Sequence, residues 1–190
     1  MENGFFITVA DSHNHYCDFE KFMQSTTDAL RIDGKNRHDY YVSRTGESLE
    51  QDVMECMKSK AADFRFDPKL ITHTPPQHFP DIISNRYFGV EVKSTKKNSW
   101  LSTGSSIVES LREDDIKKVF MLFGILSHEN VDFRCKPYED CLYDIAVTHS
   151  PRYLINMDLK ENEETVFEKM NIAYDSCRKL GDNQIEKVRE

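Results

Sequence analysis

The eight consecutive residues Val119-Phe120-Met121-Leu122-Phe123-Gly124-Ile125-Leu126 constrain this chain more than any others. An apolar run of that length without polar alternation has the pattern of a strand buried on both faces. It is far shorter than the roughly 20 residues of a membrane-spanning helix. A chain with such a strand must supply layers to cover it, and the flanking periodicities show where they come from.

Leu49, Val53, Met57 and Ala61 recur at helical spacing within 46–62, forming one apolar stripe. Thr45 stands where a cap belongs, and Glu47 and Glu50 suit the positive end of the helix dipole. Pro68 and Pro75–Pro76 end that helix and leave a loop. Further strands are expected at 131–135, which alternates, and at 144–148 and 153–157. A helix is expected at 105–118. A closing amphipathic helix should carry Val166, Met170, Ala173 and Cys177 on one stripe. Residues 1–44 read as a lead-in, helical or irregular near Phe19–Leu30 and then polar, with a turn at Asp33–Gly34. The result is an α/β fold, a central mixed β-sheet flanked by helices, with 45–190 as the main part of one compact domain.

Composition bounds the function. A hydrophobic fraction of 38%, with 12 Phe and 8 Tyr, supports a real core. No membrane span or secretory signal is apparent, so the cytoplasm is the expected address. The five cysteines form no CxxC pair, which removes zinc ribbons and redox motifs, and free thiols are expected. The formal charge of −8 argues at first against a nucleic-acid partner. The acid excess, however, lies outside the middle of the chain, where residues 31–100 carry 12 bases against 10 acids.

That middle region holds the chemistry. Ile82–Ile83, the polar turn Ser84-Asn85-Arg86, and Tyr87 through Lys93 read as two short strands of a hairpin. Pairing about residues 85–86 makes opposed positions sum to 171 or 172, which sets Asp81 beside Val90 or Glu91. In the 172 register both carboxylates lie on one side of adjacent strands, with β-carbons about 5 Å apart. Period-two geometry adds Lys93 to the face of Glu91 and turns Val90 and Val92 to the other. Two acids so close repel unless a cation sits between them, and Mg²⁺ is the oxygen-seeking cation suited to the gap. The backbone carbonyl of Val92 offers a further ligand. Lys93 is placed to orient a water and to balance developing charge, as in metal-assisted hydrolysis.

Pro80–Asp81 followed by Glu91-Val92-Lys93 resembles the signature of the PD-(D/E)xK nuclease superfamily, which includes many type II restriction endonucleases. The resemblance covers about 45–126. It implies a restriction-endonuclease-like core: a helix, a three-strand meander beginning at the PD strand, a second helix and a fourth strand. It also implies a helix carboxylate that assists the metal, best matched by Glu50 with Glu47 as the alternative. The implied activity is Mg²⁺-dependent hydrolysis of double-stranded DNA at specific sites, with Mn²⁺ as a substitute, no nucleotide cofactor, 5′-phosphate products and a homodimer as the acting form. A junction-resolving repair nuclease and a non-catalytic DNA-binding module are the alternatives on the same scaffold.

Around the motif, Lys96, Lys97 and Trp100 stand where they can meet phosphates or stack on a base, or else form a solvated loop. Ser106 and its neighbours from Ser102 either donate to phosphate or cap the next helix, capping being the commoner use. Arg112 either reaches DNA or pairs with Glu109. His13 and His15 lack a third ligand and read as ordinary histidines.

Overall fold

The computed structural model describes residues 5–76, 78–107, 115–146 and 151–180. They divide into two compact units, one drawn from the spans 1–99 and 112–135, the other from 100–111 and 136–190. The fold is mixed α/β, as expected, but with a second small sheet.

The first unit carries three helices, α1 (Tyr16–Asn36), α2 (His38–Val42) and α3 (Gly46–Lys60). Its strands are β1 (Ile71–His73), β2 (Ile82–Ser84), β3 (Phe88–Thr95), β5 (Lys118–Leu126) and the first residues of β6 (Val131–Pro137). They form one sheet in the order β1-β2-β3-β5-β6. β1, β2 and β3 are an antiparallel meander, and β3 runs parallel to β5, with Glu91 opposite Met121 and Lys93 opposite Phe123. The apolar run is the interior strand it promised to be: Val119 through Leu126 are buried without exception.

Helix α3 forms where its stripe and cap put it. Leu49, Val53, Met57 and Ala61 are all fully buried, and the Thr45 hydroxyl accepts from the Ser48 N–H in a capping box. Phe19 of α1 centres the core. It stacks on Phe88 of β3 at 4.1 Å between centroids and meets Phe22, Phe66 and Phe120 edge-on. Residues 16–44 are therefore part of this core, with α1 packed against α3.

The expected turn at Asp33–Gly34 does not occur; α1 runs on to Asn36. Gly34 serves close approach instead, since a Cβ there would lie 2.7 Å from Val131 Cγ1. Asp33 accepts from Arg37 one turn on, which supports helix. The meander also differs from expectation, because Ile71–His73 pairs outside the PD strand and makes β2 its middle member.

In the second unit, β4 (Leu101–Ser106), β8 (Arg152–Asn156) and β7 (Leu142–Ala146) form an antiparallel sheet in the order β4-β8-β7. Tyr138, Tyr153, Phe167 and Tyr174 pack ring to ring beneath it. Ser102–Ser106 is thus a strand and not a helix cap; its backbone pairs with β8, as Ser102 with Ile155. Of the helix expected at 105–118, residues 105–106 are strand and 108–114 lie outside the described residues. The closing helix is two short ones, α4 (Val166–Lys169) and α5 (Tyr174–Arg178). Asn171, at φ 51°, ends the first in the left-handed conformation that asparagine tolerates at helix C-termini. No described helix is long and apolar enough to cross a membrane.

Candidate active site

The hairpin turn decides the register. Tyr87 N–H donates to the Ser84 carbonyl at 3.2 Å, and Asn85 and Arg86 both take positive φ, at 52° and 50°. Paired left-handed residues give a turn whose twist matches that of the strands. Asn85 is also buried, its side-chain amide donating to the Ile7 carbonyl at 2.9 Å. The pairs Ile82 with Val90, Ile83 with Gly89, and Ser84 with Phe88 all sum to 172. Of the two registers open from sequence, this one sets Asp81 across from Glu91.

Side-chain placement follows. Val90 and Val92 are buried in the core, while Glu91 and Lys93 are half-exposed on the other face. Asp81 Oδ2 accepts from the Val92 N–H at 2.7 Å, and its carboxyl lies within hydrogen-bonding reach of Glu91 and close to the Lys93 ammonium. The N–H and C=O of one strand residue point to the same edge, so the Val92 carbonyl opens on the Asp81 side.

Asp81 is held from behind as well. Its carbonyl accepts from the Thr74 N–H at 3.0 Å, and the Thr74 hydroxyl donates to the Pro80 carbonyl at 2.7 Å. Pro80 lies directly over Gly89, where a Cβ would come 2.3 Å from Pro80 Cγ. Glycine at 89 is what lets the Pro-Asp segment settle onto β3.

Electrostatics single out the same residues. Burial pushes the Asp81 carboxyl above the usual range, offset in part by the Val92 N–H, the Lys93 charge and the hydrogen bond with Glu91. Glu50 is also pushed up, first by burial and then by the negative charge of Asp81, with His73 acting in the opposite sense. Of the two helix acids, Glu50 is half-buried and senses Asp81, whereas Glu47 is exposed. Glu50 is carried there by its neighbour Leu49, whose burial turns that side of α3 to the sheet.

These groups border a cleft of about 710 Å³ whose lining includes Arg44, Glu50, Asp52, His73, His78 and Asp81. Among the described residues, no group of three or more His, Cys, Asp or Glu side chains is arranged to hold a metal ion by itself. The donor set nevertheless suits a hard cation. Asp81 and Glu91 lie within hydrogen-bonding reach of each other, the Val92 carbonyl adds a third oxygen, and Mg²⁺ commonly takes one or two carboxylates and completes its shell with water.

The described residues expected to meet DNA divide between the two units. Lys96 is exposed, and its ammonium donates to the Val42 and Arg44 carbonyls at 2.6 and 2.7 Å. Lys97 is exposed at the end of β3. Trp100 and Ser106 belong to the second unit, and Arg112 and Glu109 lie outside the described residues. His13 and His15 make local bonds, to the Ala10 carbonyl and to Asp18.

Sequence reading missed Arg44, Asp52, His73 and His78. The histidines flank Pro75–Pro76, His73 at the end of β1 and His78 in the loop entering Asp81, and that position alone was a usable signal. Arg44 and Asp52 sit either side of a helix cap and carry no local pattern; only the turn of α3 brings them together. No family model matches this chain, and no curated protein matches it.

Proposed function

We propose that this chain is a Mg²⁺-dependent endonuclease that hydrolyses DNA phosphodiester bonds. The observation that carries the proposal is the Asp81–Glu91 pair, joined across a hairpin at the 172 register, with Lys93 on the same face and Glu50 reaching in from α3. A carboxylate pair kept half-buried beside an ammonium destabilises the free protein and is what a phosphoryl-transfer metal site requires.

Asp81 and Glu91, with the Val92 carbonyl, would hold the cation, and Glu50 would bind one of its waters or join the shell. A bound Mg²⁺ supplies polarisation of the scissile phosphoryl oxygen and a more acidic water. Lys93 orients the attacking water and offsets charge that grows on the phosphate oxygens. The Val92 N–H keeps the Asp81 carboxylate aimed. The order helix α3, meander β1-β2-β3 and parallel β5 supports the resemblance to PD-(D/E)xK enzymes. With that resemblance come cleavage at specific double-stranded sites and a homodimer as the acting form.

Supercoiled plasmid incubated with and without Mg²⁺ tests the proposal. Nicked or linear product should appear only with the metal, and Lys93→Ala should slow cleavage about 10²–10³-fold. Discrete fragments mark a restriction activity, and preference for branched substrates marks a junction nuclease. Metal-independent cleavage, or an unchanged rate in Lys93→Ala, would refute the mechanism.

A further inference from the structure

The cleft that borders Asp81 and Glu50 also contains one guanidinium, and its surroundings hold it still. Arg44 lies in the link between α2 and α3. Its Nε donates to Asp52 Oδ2 at 2.7 Å and its Nη2 to Asp52 Oδ1 at 3.0 Å. The Tyr40 hydroxyl donates to the same Oδ1 at 2.8 Å, and the Tyr40 ring lies 3.7 Å from the Arg44 guanidinium carbon. Arg44 and Asp52 are both partly buried, at 26% and 15% side-chain exposure.

Two of the five guanidinium N–H groups are used by Asp52. Nη1 and the second Nη2 hydrogen take no partner among the described residues, and Arg44 lines the cleft. The link itself is anchored, because the Lys96 ammonium binds the Val42 and Arg44 carbonyls. Lys96 stands just past the end of β3, three residues after Lys93. Arg44 is therefore tied to the strand that carries Glu91 and Lys93, and its fork is pre-aimed at low entropic cost.

We propose that Arg44 is a phosphate-binding subsite within this cleft, taking a DNA phosphodiester other than the one cleaved, with Asp52 and Tyr40 as positioning residues. A planar guanidinium with unused donors on one edge matches the non-bridging oxygens of a phosphate. The carboxylate behind it fixes orientation without occupying that edge. The identity of the ligand as DNA rests on the nuclease reading; the geometry of Arg44 does not.

The test measures binding of a short duplex with Ca²⁺ in place of Mg²⁺, using a series of duplexes that each carry one neutral methylphosphonate. For the wild type, one position away from the cut should weaken binding about tenfold. In Arg44→Gln that sensitivity should vanish, affinity for unmodified duplex should fall about tenfold regardless of sequence, and the salt slope should drop by about one. Arg44→Gln leaves Asp52 without its cation, so Arg44→Gln/Asp52→Asn is measured beside it and should show the same loss with a melting temperature nearer the wild type. If both variants bind as the wild type does, or no methylphosphonate position depends on Arg44, the subsite is overturned and Arg44 only ties the link to α3. Plasmid cleavage by the wild type would then leave the nuclease reading standing. An Arg44-dependent phosphate contact in a protein that never cleaves would uphold the subsite and remove the nuclease reading.

Discussion

At the scale of single residues, Asp81 is a carboxylate whose charge folding opposes. Burial raises the cost of its charge, and the Val92 N–H and Lys93 recover only part of it. Asp81→Asn keeps an oxygen for the Val92 N–H and removes the buried charge, so the metal-free variant should melt higher than wild type at neutral pH. The same variant should lose cleavage and show no rise in melting temperature when Mg²⁺ is added, whereas the wild type should gain stability with the metal. Thermal melts with and without Mg²⁺ check both halves; a variant less stable than wild type would contradict the account. Cysteines give a second residue-scale outcome. Cys17 is exposed, Cys141 and Cys177 are buried, and burial pushes the thiols of Cys56 and Cys135 up to about 11 and about 12. A thiol reagent at pH 8 should therefore titrate one fast cysteine in the native protein, and mass mapping should place it at Cys17.

At the scale of elements, the hairpin and its backing decide whether the two acids meet. Gly89→Ala drives a methyl into Pro80, whose ring cannot swing aside as a flexible side chain would. We expect about 1–3 kcal/mol of destabilisation and a further loss of cleavage, because the displaced segment carries Asp81; chemical denaturation and plasmid assays measure the two separately. Helix α1 ends in a titrating element of its own. The hydrogen bond from Arg37 holds the Asp33 carboxyl below its ordinary range, with burial opposing it and the Tyr41 hydroxyl assisting. A carboxylate depressed in the folded state contributes stability above its unfolded value and loses it as pH falls through the folded one. Urea melts should show wild type ahead of Asp33→Asn at neutral pH, with the gap closing below about pH 4.

At the scale of the molecule, the larger unit is organised around Phe19, which joins α1 to β3 and β5 through a cluster of aromatic rings. Truncation to alanine should cost about 3–5 kcal/mol, measured by denaturant unfolding. A good deal of this unit was legible beforehand. Helix α3 appeared through four residues at helical spacing, β5 through eight apolar residues in a row, and the face of Glu91 and Lys93 through simple alternation. The second sheet was not legible as a unit. Ser102–Ser106 has turn and cap chemistry locally, and becomes strand only because β8 offers it a partner. Asp33–Gly34 has a turn signature, yet it stays helical, with Asp33 bonded to Arg37 one turn on and Gly34 leaving room for Val131 of β6.

What the chain determined by itself was local: periodicity, caps, and the residues Asp81, Glu91 and Lys93 that a hairpin brings within reach of one another. Tertiary structure decided what depends on distant partners. It chose the register, through a buried Asn85 held by the N-terminal segment. It gave the exposed Lys96 two backbone carbonyls to clamp, and it set Arg44 on Asp52 beside the acids. Short-range patterns follow from stereochemistry along a few bonds, whereas these contacts exist only after burial has brought separate elements together.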